Sequence, residues 1–379
     1  MFLTTLPDDI AMSFANLAYR ALESTNTQTR RLAYITILIS TLSKGSLPEK
    51  VLLSRIARWS HENQENLSRY WTQTGYVNSN RRNSAGARYL ELARNLGLIT
   101  PISGEYRLTR VGLALNALKK DHQDTPFVLT NAERLFYMYL LLEKDADVLL
   151  TILDRIRSQP DIRLSSLQKT YQQDFIERLN LKGRLVQDER LKKELLDRRM
   201  RIELNWKKKA RYVEHIVPPR LNWLLDLGLL DTKVFQHHQY HLTDCGVNFI
   251  RELPRHENNF YDIDDEWLSS DFWSITSSNL LKIQNLRPWK NLYEEERSKM
   301  CKNLLREAIS VFQYSSVPKI SLTQVLFYMT IKMIIKNSIL VSFADLKKWL
   351  LVPRIIDGWS YHVHLSPQEN VSYIVLIPA

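Results

Sequence analysis

The sequence predicts a mainly helical protein with small β-hairpins, in which one helix–hairpin–helix unit occurs twice around a basic helical spacer. Three observations predict it. Gly is scarce, with 10 residues in 379, which disfavours an all-β or Gly-loop-rich architecture. Apolar side chains recur at helical spacing along most of the chain. One phrase is used twice: Leu90-Glu-Leu-Ala-Arg-Asn-Leu-Gly-Leu-Ile99 followed by Glu105-Tyr-Arg-Leu-Thr-Arg-Val-Gly112, and Leu221-Asn-Trp-Leu-Leu-Asp-Leu-Gly-Leu-Leu230 followed by Gln239-Tyr-His-Leu-Thr-Asp-Cys-Gly246.

Each copy reads as an amphipathic helix stopped by Gly97 or Gly228, since glycine most easily takes the left-handed conformation past a helix end. An apolar strand, a polar turn and a returning Tyr-x-Leu-Thr strand follow, then another helix. This order resembles the third helix and wing of a winged-helix domain, a superfamily in which a Tyr-x-Leu-Thr-x-x-Gly ending is common. The resemblance covers about a third of the chain and implies a fold, with tandem winged-helix modules as the expectation, rather than one function.

In chain order, Pro7 with Asp8 and Asp9 reads as the first turn of a helix reaching Leu22. Ser24–Thr29 reads as a linker. Arg31–Leu42, Pro48–Trp59, Gln64–Thr72 and Ala85–Leu96 are the helices of the first module. Its wing is Ile99–Leu108, where Pro101 restricts the strand to an edge. Val111–Lys120 closes it. Asn131–Arg157 is helical, and Leu164–Lys209 is a charge-dense helix with a buried stripe of Leu185, Leu191, Leu195, Met200 and Leu204. Pro218-Pro219 breaks the chain and starts the second repeated helix. Its wing is Leu229–Leu242. Leu253–Ser278 is an acidic connector that packs with its aromatics, with the acidic run Asp262–Asp271 solvated, and Trp289–Phe312 is a helix. The helices Leu322–Lys336 and Phe343–Leu351, with strands Trp359–Leu365 and Val371–Ile377, allow a third, degenerate module. The expected segments are therefore 1–28, 29–125, 126–205, 206–254, 255–319 and 320–379.

Charge and cysteine usage narrow the function classes. Lys and Arg number 52 against 41 Asp and Glu, a net charge of +11, which suits a polyanionic partner such as nucleic acid. From Arg178 to Arg220 there are 14 cations and six acids. Pairs such as Glu189–Lys193 and Glu194–Arg198 offset part of this excess. Cys245 and Cys301 are the only cysteines, so neither a disulfide framework nor a four-cysteine zinc site is available. The expected location is cytoplasmic, with no membrane partner, because the most apolar stretch, Leu322–Phe343, is interrupted by Lys332 and Lys336.

Candidate chemistry points to binding. A helix that enters a DNA groove needs cations near its N-terminus. Arg81, Arg82 and Arg88 meet that need in the first module, with Asn83 and Ser84 as neutral donors. In the second, Lys207, Lys208, Lys209 and Arg211 precede the helix and Arg220 lies at its start. Arg198 and Arg199 belong to the basic helix, which would touch phosphates and so supply affinity without sequence choice. If about five cations there each neutralise a phosphate, the log–log salt slope is roughly −4 to −5.

His237, His238 and His241 with Cys245 need not converge, and His362 and His364 lack a third ligand nearby, so no metal is expected. No cofactor is expected either, since no Gly-x-x-x-x-Gly-Lys loop or Gly-x-Gly-x-x-Gly occurs. Asp231-Thr-Lys233 matches a nuclease pattern only formally. The expectation is a non-enzymatic protein that binds double-stranded DNA, one subunit of a larger prokaryotic DNA-handling complex of defence or mobile-element type, with protein partners. The alternative is a protein-binding winged-helix scaffold of the kleisin or chromosome-organising type. A divergent nuclease is the lesser alternative.

Overall fold

The computed structural model describes residues 17–22, 25–65, 77, 84–119, 128–206, 209–233, 239–256, 260–281, 283, 285–313, 319–356, 359–366 and 372–378. The chain is mainly helical, with small and mostly antiparallel sheets.

The first unit runs α1 (Ala33–Leu42), β1 (Leu47–Pro48), α2 (Glu49–Glu62), α3 (Ser84–Asn95), β2 (Ile99–Ile102), β3 (Glu105–Leu108) and α4 (Arg110–Lys119). Its sheet has the order β1–β3–β2, with Leu47 opposite Tyr106 and Ile99 opposite Leu108. Pro101 lies in the edge strand β2, where its missing donor costs no ladder bond. The second unit repeats the order with α5 (Asn131–Ser158), β4 (Ile162–Arg163), α6 (Leu164–Leu185), α7 (Glu189–Asn205), α8 (Lys209–Asp226), β5 (Leu230–Lys233), β6 (Gln239–Leu242) and α9 (Asp244–Arg251). Its sheet is β4–β6–β5.

The repeated phrase has one physical cause in both units. Gly97 at φ 71° and Gly228 at φ 79° turn the chain. Leu98 and Leu229 donate back to Ala93 and Leu224 at 2.9 and 3.0 Å, which satisfies carbonyls that the helix end would orphan. Thr109 and Thr243 then tie the return strand down. Their amides donate to Leu98 and Leu229 at 3.0 Å, and their hydroxyls accept from Gly112 and Gly246 at 3.1 Å. A Cβ on Gly112 would stand 2.1 Å from the Leu98 carbonyl oxygen, and one on Gly246 would stand 2.2 Å from that of Leu229. Only glycine fits there.

Two short helices, α10 (Asp265–Ser269) and α11 (Asp271–Leu280), and β7 (Arg287–Pro288) lead to a third arrangement. It comprises α12 (Glu294–Phe312), β8 (Lys319–Ser321), α13 (Leu322–Asn337), β9 (Ile339–Leu340), α14 (Phe343–Leu350), β10 (Ile355–Ile356), β11 (Trp359–His364) and β12 (Tyr373–Pro378). The sheet order is β10–β11–β12–β8, so again the strand after the first helix pairs with the last strand. This unit reaches the same pairing without the Thr-x-x-Gly ending. Helix α13 is buried along most of its length and packs on α4, α5 and α12. The connector's aromatics join the units: Tyr139 stacks on Trp273 at 5.6 Å and meets Phe272, Phe327 and Phe343 at 5.1–5.3 Å.

Four expectations need correction. Leu17–Leu22 is not the end of a helix, because its backbone bonds to carboxylates of α5 instead. Of the linker Ser24–Thr29, residues 25–29 are held by hydrogen bonds to His215 and Trp223. Pro218 and Pro219 lie inside α8 rather than breaking it. Pro219 cannot donate to the His215 carbonyl one turn back, and Thr25 Oγ1 donates to that carbonyl at 2.9 Å instead. The charge-dense stretch is two helices, parted at Val186–Asp188, where the Asp188 side chain caps α7 by accepting from the Arg190 amide at 2.7 Å. The buried residues of α7 are Leu195 and Ile202, whereas Met200 and Leu204 are exposed.

Candidate functional site

The structure separates the predicted binding residues. Arg81, Arg82, Asn83, Lys207 and Lys208 lie outside the described residues. Ser84 and Lys209 are the first residues of α3 and α8. Arg88 is exposed on α3, with Nη1 2.9 Å from Glu91 Oε2. Arg211 is exposed near the start of α8. Arg199 donates to Asn180 Oδ1 at 2.9 Å and pairs with Glu203 at 3.6 Å. Arg198 is half-buried, its guanidinium 5.3 Å above the Tyr19 ring. On α7, Glu189 pairs with Lys192 rather than Lys193.

Arg220 is a correction. It is wholly buried, with Nε 2.6 Å from Asp145 Oδ2 and Nη2 2.8 Å from Oδ1, so it cannot meet a phosphate. Its other donors reach Leu22 O, Thr25 Oγ1 and Ile216 O at 2.8–3.0 Å. The rest of α8 is similarly occupied. Trp223 Nε1 donates to Thr29 O at 2.7 Å, and Asp226 accepts from the Leu32 amide at 2.9 Å and pairs with Arg31 at 3.2 Å. The second repeated helix thus packs on residues 25–32 instead of presenting a free face.

Arg178 and Lys182, counted in the sequence with the basic spacer, are also buried. Lys182 Nζ lies 3.0 Å from both Asp147 oxygens and 3.1 Å from Asp262 Oδ2. Arg178 Nε reaches Asp147 at 3.2 Å, while its Nη2 donates to Tyr261 O at 2.8 Å. Burial pushes the Asp147 carboxyl up, but Lys182 and Arg178 together hold it below the usual carboxylate range. Burial raises Asp262, and Lys182 offsets only part of that. Asp262 is therefore a buried carboxyl beside Lys182, not part of a solvated acidic run. With Arg178, Lys182 and Arg220 turned inward, eleven cations face six acids in the stretch 178–220. That weakens the spacer as the main phosphate contact.

The larger cationic excess is on the first unit. Between Thr29 and Lys119 the chain has 14 Lys and Arg against five Asp and Glu. Lys44 in the turn after α1, Lys50, Arg55 and Arg58 on α2, Arg88 and Arg94 on α3, Arg107 in the hairpin and Arg110 at the start of α4 are all exposed. A sequence scan for adjacent basic residues overlooks this, because these cations are spaced singly along a turn and four elements.

The chain also contains a cavity of about 380 Å³ between α6, α7, α8 and the residues Tyr19, Ala21, Leu22 and Thr25. Phe175 and Tyr171 of α6 stack 5.6 Å apart at 15°. Trp206 follows Tyr171 at 6.5 Å and 15°, and Tyr212 follows Trp206 at 5.6 Å and 13°. Arg198 and Arg201 of α7, His215 and Arg220 of α8, and Tyr19 also line it. Gln172 holds α7 over the site by donating to Ile202 O at 2.9 Å. Among the described residues, no group of three His, Cys, Asp or Glu is placed to hold a metal ion, and no helix is long and apolar enough to cross a membrane. No protein-family model, curated protein or solved structure matches this chain.

Proposed function

We propose that the chain is a DNA-binding protein built from three winged-helix units, which binds duplex DNA through the first of them. The winged-helix reading is supported by the recurring order of helix, short strand, two or more helices and hairpin. It is supported too by the recurring pairing of first strand with last. The observation that carries DNA binding is the first unit's charge, 14 cations against five acids, with eight cations exposed among the described residues. Cations spread over helices and a hairpin suit phosphates, which fix register and orientation, more than base edges. The reading has no catalytic step.

A subunit role in a larger DNA-handling assembly, of defence or mobile-element type, forms part of this proposal. It is favoured by Leu196, Met200 and Leu204 of α7, exposed at 46%, 43% and 66% and spaced every four residues along one helix face. The same row favours the second reading, a winged-helix scaffold that binds protein.

The test is binding of the full chain to a labelled random duplex by fluorescence anisotropy across a salt series. Arg81/Arg82/Arg88→Ala and Arg55/Arg58→Ala variants run beside it. Each lost phosphate contact shallows the log–log slope by about 0.9. No binding at low salt overturns the DNA reading. Binding unchanged in both variants removes it from the first unit.

A further inference from the structure

Helix α7 packs mainly on α6, along the face that carries Leu195 and Ile202. Its far side is open and carries the row Leu196, Met200 and Leu204. Single exposed apolar residues need no explanation, whereas three in line on one helix face mark a contact surface. A ridge at four-residue spacing is also what a second helix with the same ridge packs against. The charges beside the row select that helix. Asp197 and Arg201 flank it on one side, and both are exposed. Four-residue spacing would let them pair within the helix. Among the described residues, however, neither side chain has a hydrogen-bond or ion-pair partner. On the other flank, Arg199 and Glu203 pair with each other at 3.6 Å. Each flank thus carries one acid and one cation, on opposite sides of Met200 along the chain. Turning α7 end for end about Met200 sets acid against cation on both flanks.

We infer that the row is covered by α7 of a second copy of this chain, packed antiparallel about Met200 in a two-fold contact. Leu196 of each copy meets Leu204 of the other, and the two Met200 side chains meet at the centre. Asp197 of each copy faces Arg201 of the other, so the two unpartnered charges of α7 gain partners twice over. A parallel pair would instead set Asp197 and Arg201 against Arg199 and Glu203, which already hold each other. Antiparallel helix dipoles favour the same direction. The rim pairs fix orientation and register more than affinity. A contact made by one helix face is small, so dissociation falls in the micromolar range. The inference names the occupant for the subunit reading of this row. It rests on that reading and not on duplex binding by the first unit.

The experiment is analytical ultracentrifugation of the full chain across the micromolar range. The weight-average mass is expected to climb from that of one chain to that of two. Leu196→Gln/Leu204→Gln is expected to weaken dimerisation by about tenfold or more. Its thermal midpoint should stay where it was, because both side chains are exposed. Asp197→Arg sets a cation against Arg201, and Arg201→Glu sets an acid against Asp197. Each variant alone is expected to dimerise several-fold more weakly. Mixed in equal amounts, the two restore both ion pairs between chains and the dimer returns. A role for these charges within one chain gives no such rescue. A chain that stays monomeric at every concentration overturns the inference. So do dimers that the Gln variant leaves intact, or charge variants that dimerise like the wild type. A monomer that still binds the random duplex by anisotropy rules out the second copy alone and leaves the proposed DNA contact standing.

Discussion

Arg220 of α8 and Asp145 of α5 form a fully buried, two-point ion pair, Nε to Oδ2 at 2.6 Å and Nη2 to Oδ1 at 2.8 Å. Asp145 also accepts from the Leu22 amide at 2.8 Å, so one carboxylate gathers α8 and the segment Leu17–Leu22 onto the kink of α5. Removing one member leaves an uncompensated internal charge, which costs about 3–5 kcal/mol. Arg220→Met and Asp145→Leu are each expected to lower stability by that amount in urea unfolding. The double variant recovers part of it, since the Leu22 backbone groups stay without partners. Single variants that lose under 1 kcal/mol would show that the pair is dispensable.

Asp226 predicts a pH dependence. Burial pushes its pKa up to about 6 from 3.8, although Arg31 and the Leu32 amide favour the charged form. A carboxyl raised in the folded state stabilises the fold when protonated. Its contribution is therefore full below pH 3.8 and lost as pH rises through about 6. The span corresponds to about 3 kcal/mol. Asp226→Asn removes the effect, so the variant gains on the wild type as pH rises from 4 to 7. A difference between the two that stays constant across that range refutes the assignment.

The glycines closing the first two hairpins differ from Gly183 in α6. Ala at Gly112 or Gly246 puts Cβ against a backbone carbonyl, so thermal unfolding should report a loss of about 1–3 kcal/mol or more. Gly183 has nothing within 4 Å of an added Cβ. Gly183→Ala should therefore raise stability by about 0.5–1 kcal/mol through helix propensity. Equal effects at all three sites would contradict the close approach.

Thr25 supplies the bond that makes proline tolerable within α8. Thr25→Val strips the His215 carbonyl of its donor and is expected to cost about 1–3 kcal/mol. Pro219→Ala in that background restores an intrahelical N–H and should return part of the loss. No recovery would mean that the Thr25 hydroxyl matters through Arg220 instead, whose Nη1 it accepts at 2.8 Å.

Legibility in the sequence tracked distance along the chain. The first two hairpins could be read because Gly97, Thr109 and Gly112 lie within 16 residues of one another and bond mainly among themselves. The helix of Pro218 and Pro219 was misread because the compensating donor lies 190 residues away, at Thr25. Met200 and Leu204 fitted a buried stripe by period, but the face of α7 that packs is set by Leu195 and Ile202 meeting α6. The ionic core did leave a signal. Lys144-Asp-Ala-Asp147 interrupts two apolar runs, and charges within such a helix need internal partners. Their identity, Arg178, Lys182 and Arg220, was hidden by counting every cation as surface.

The clamp on Leu17–Leu22 also dictates an order of events during synthesis. The Arg20 amide bonds to Asp147, 127 residues later in the chain. At about 5–20 residues per second, the ribosome leaves that segment without its anchor for roughly 6–25 s. The first unit, whose contacts are mostly its own, can close in that interval. Residues 17–22, made before it, are secured only once the helix carrying Asp147 has emerged. The beginning of the described chain is thus among the last parts to be fixed.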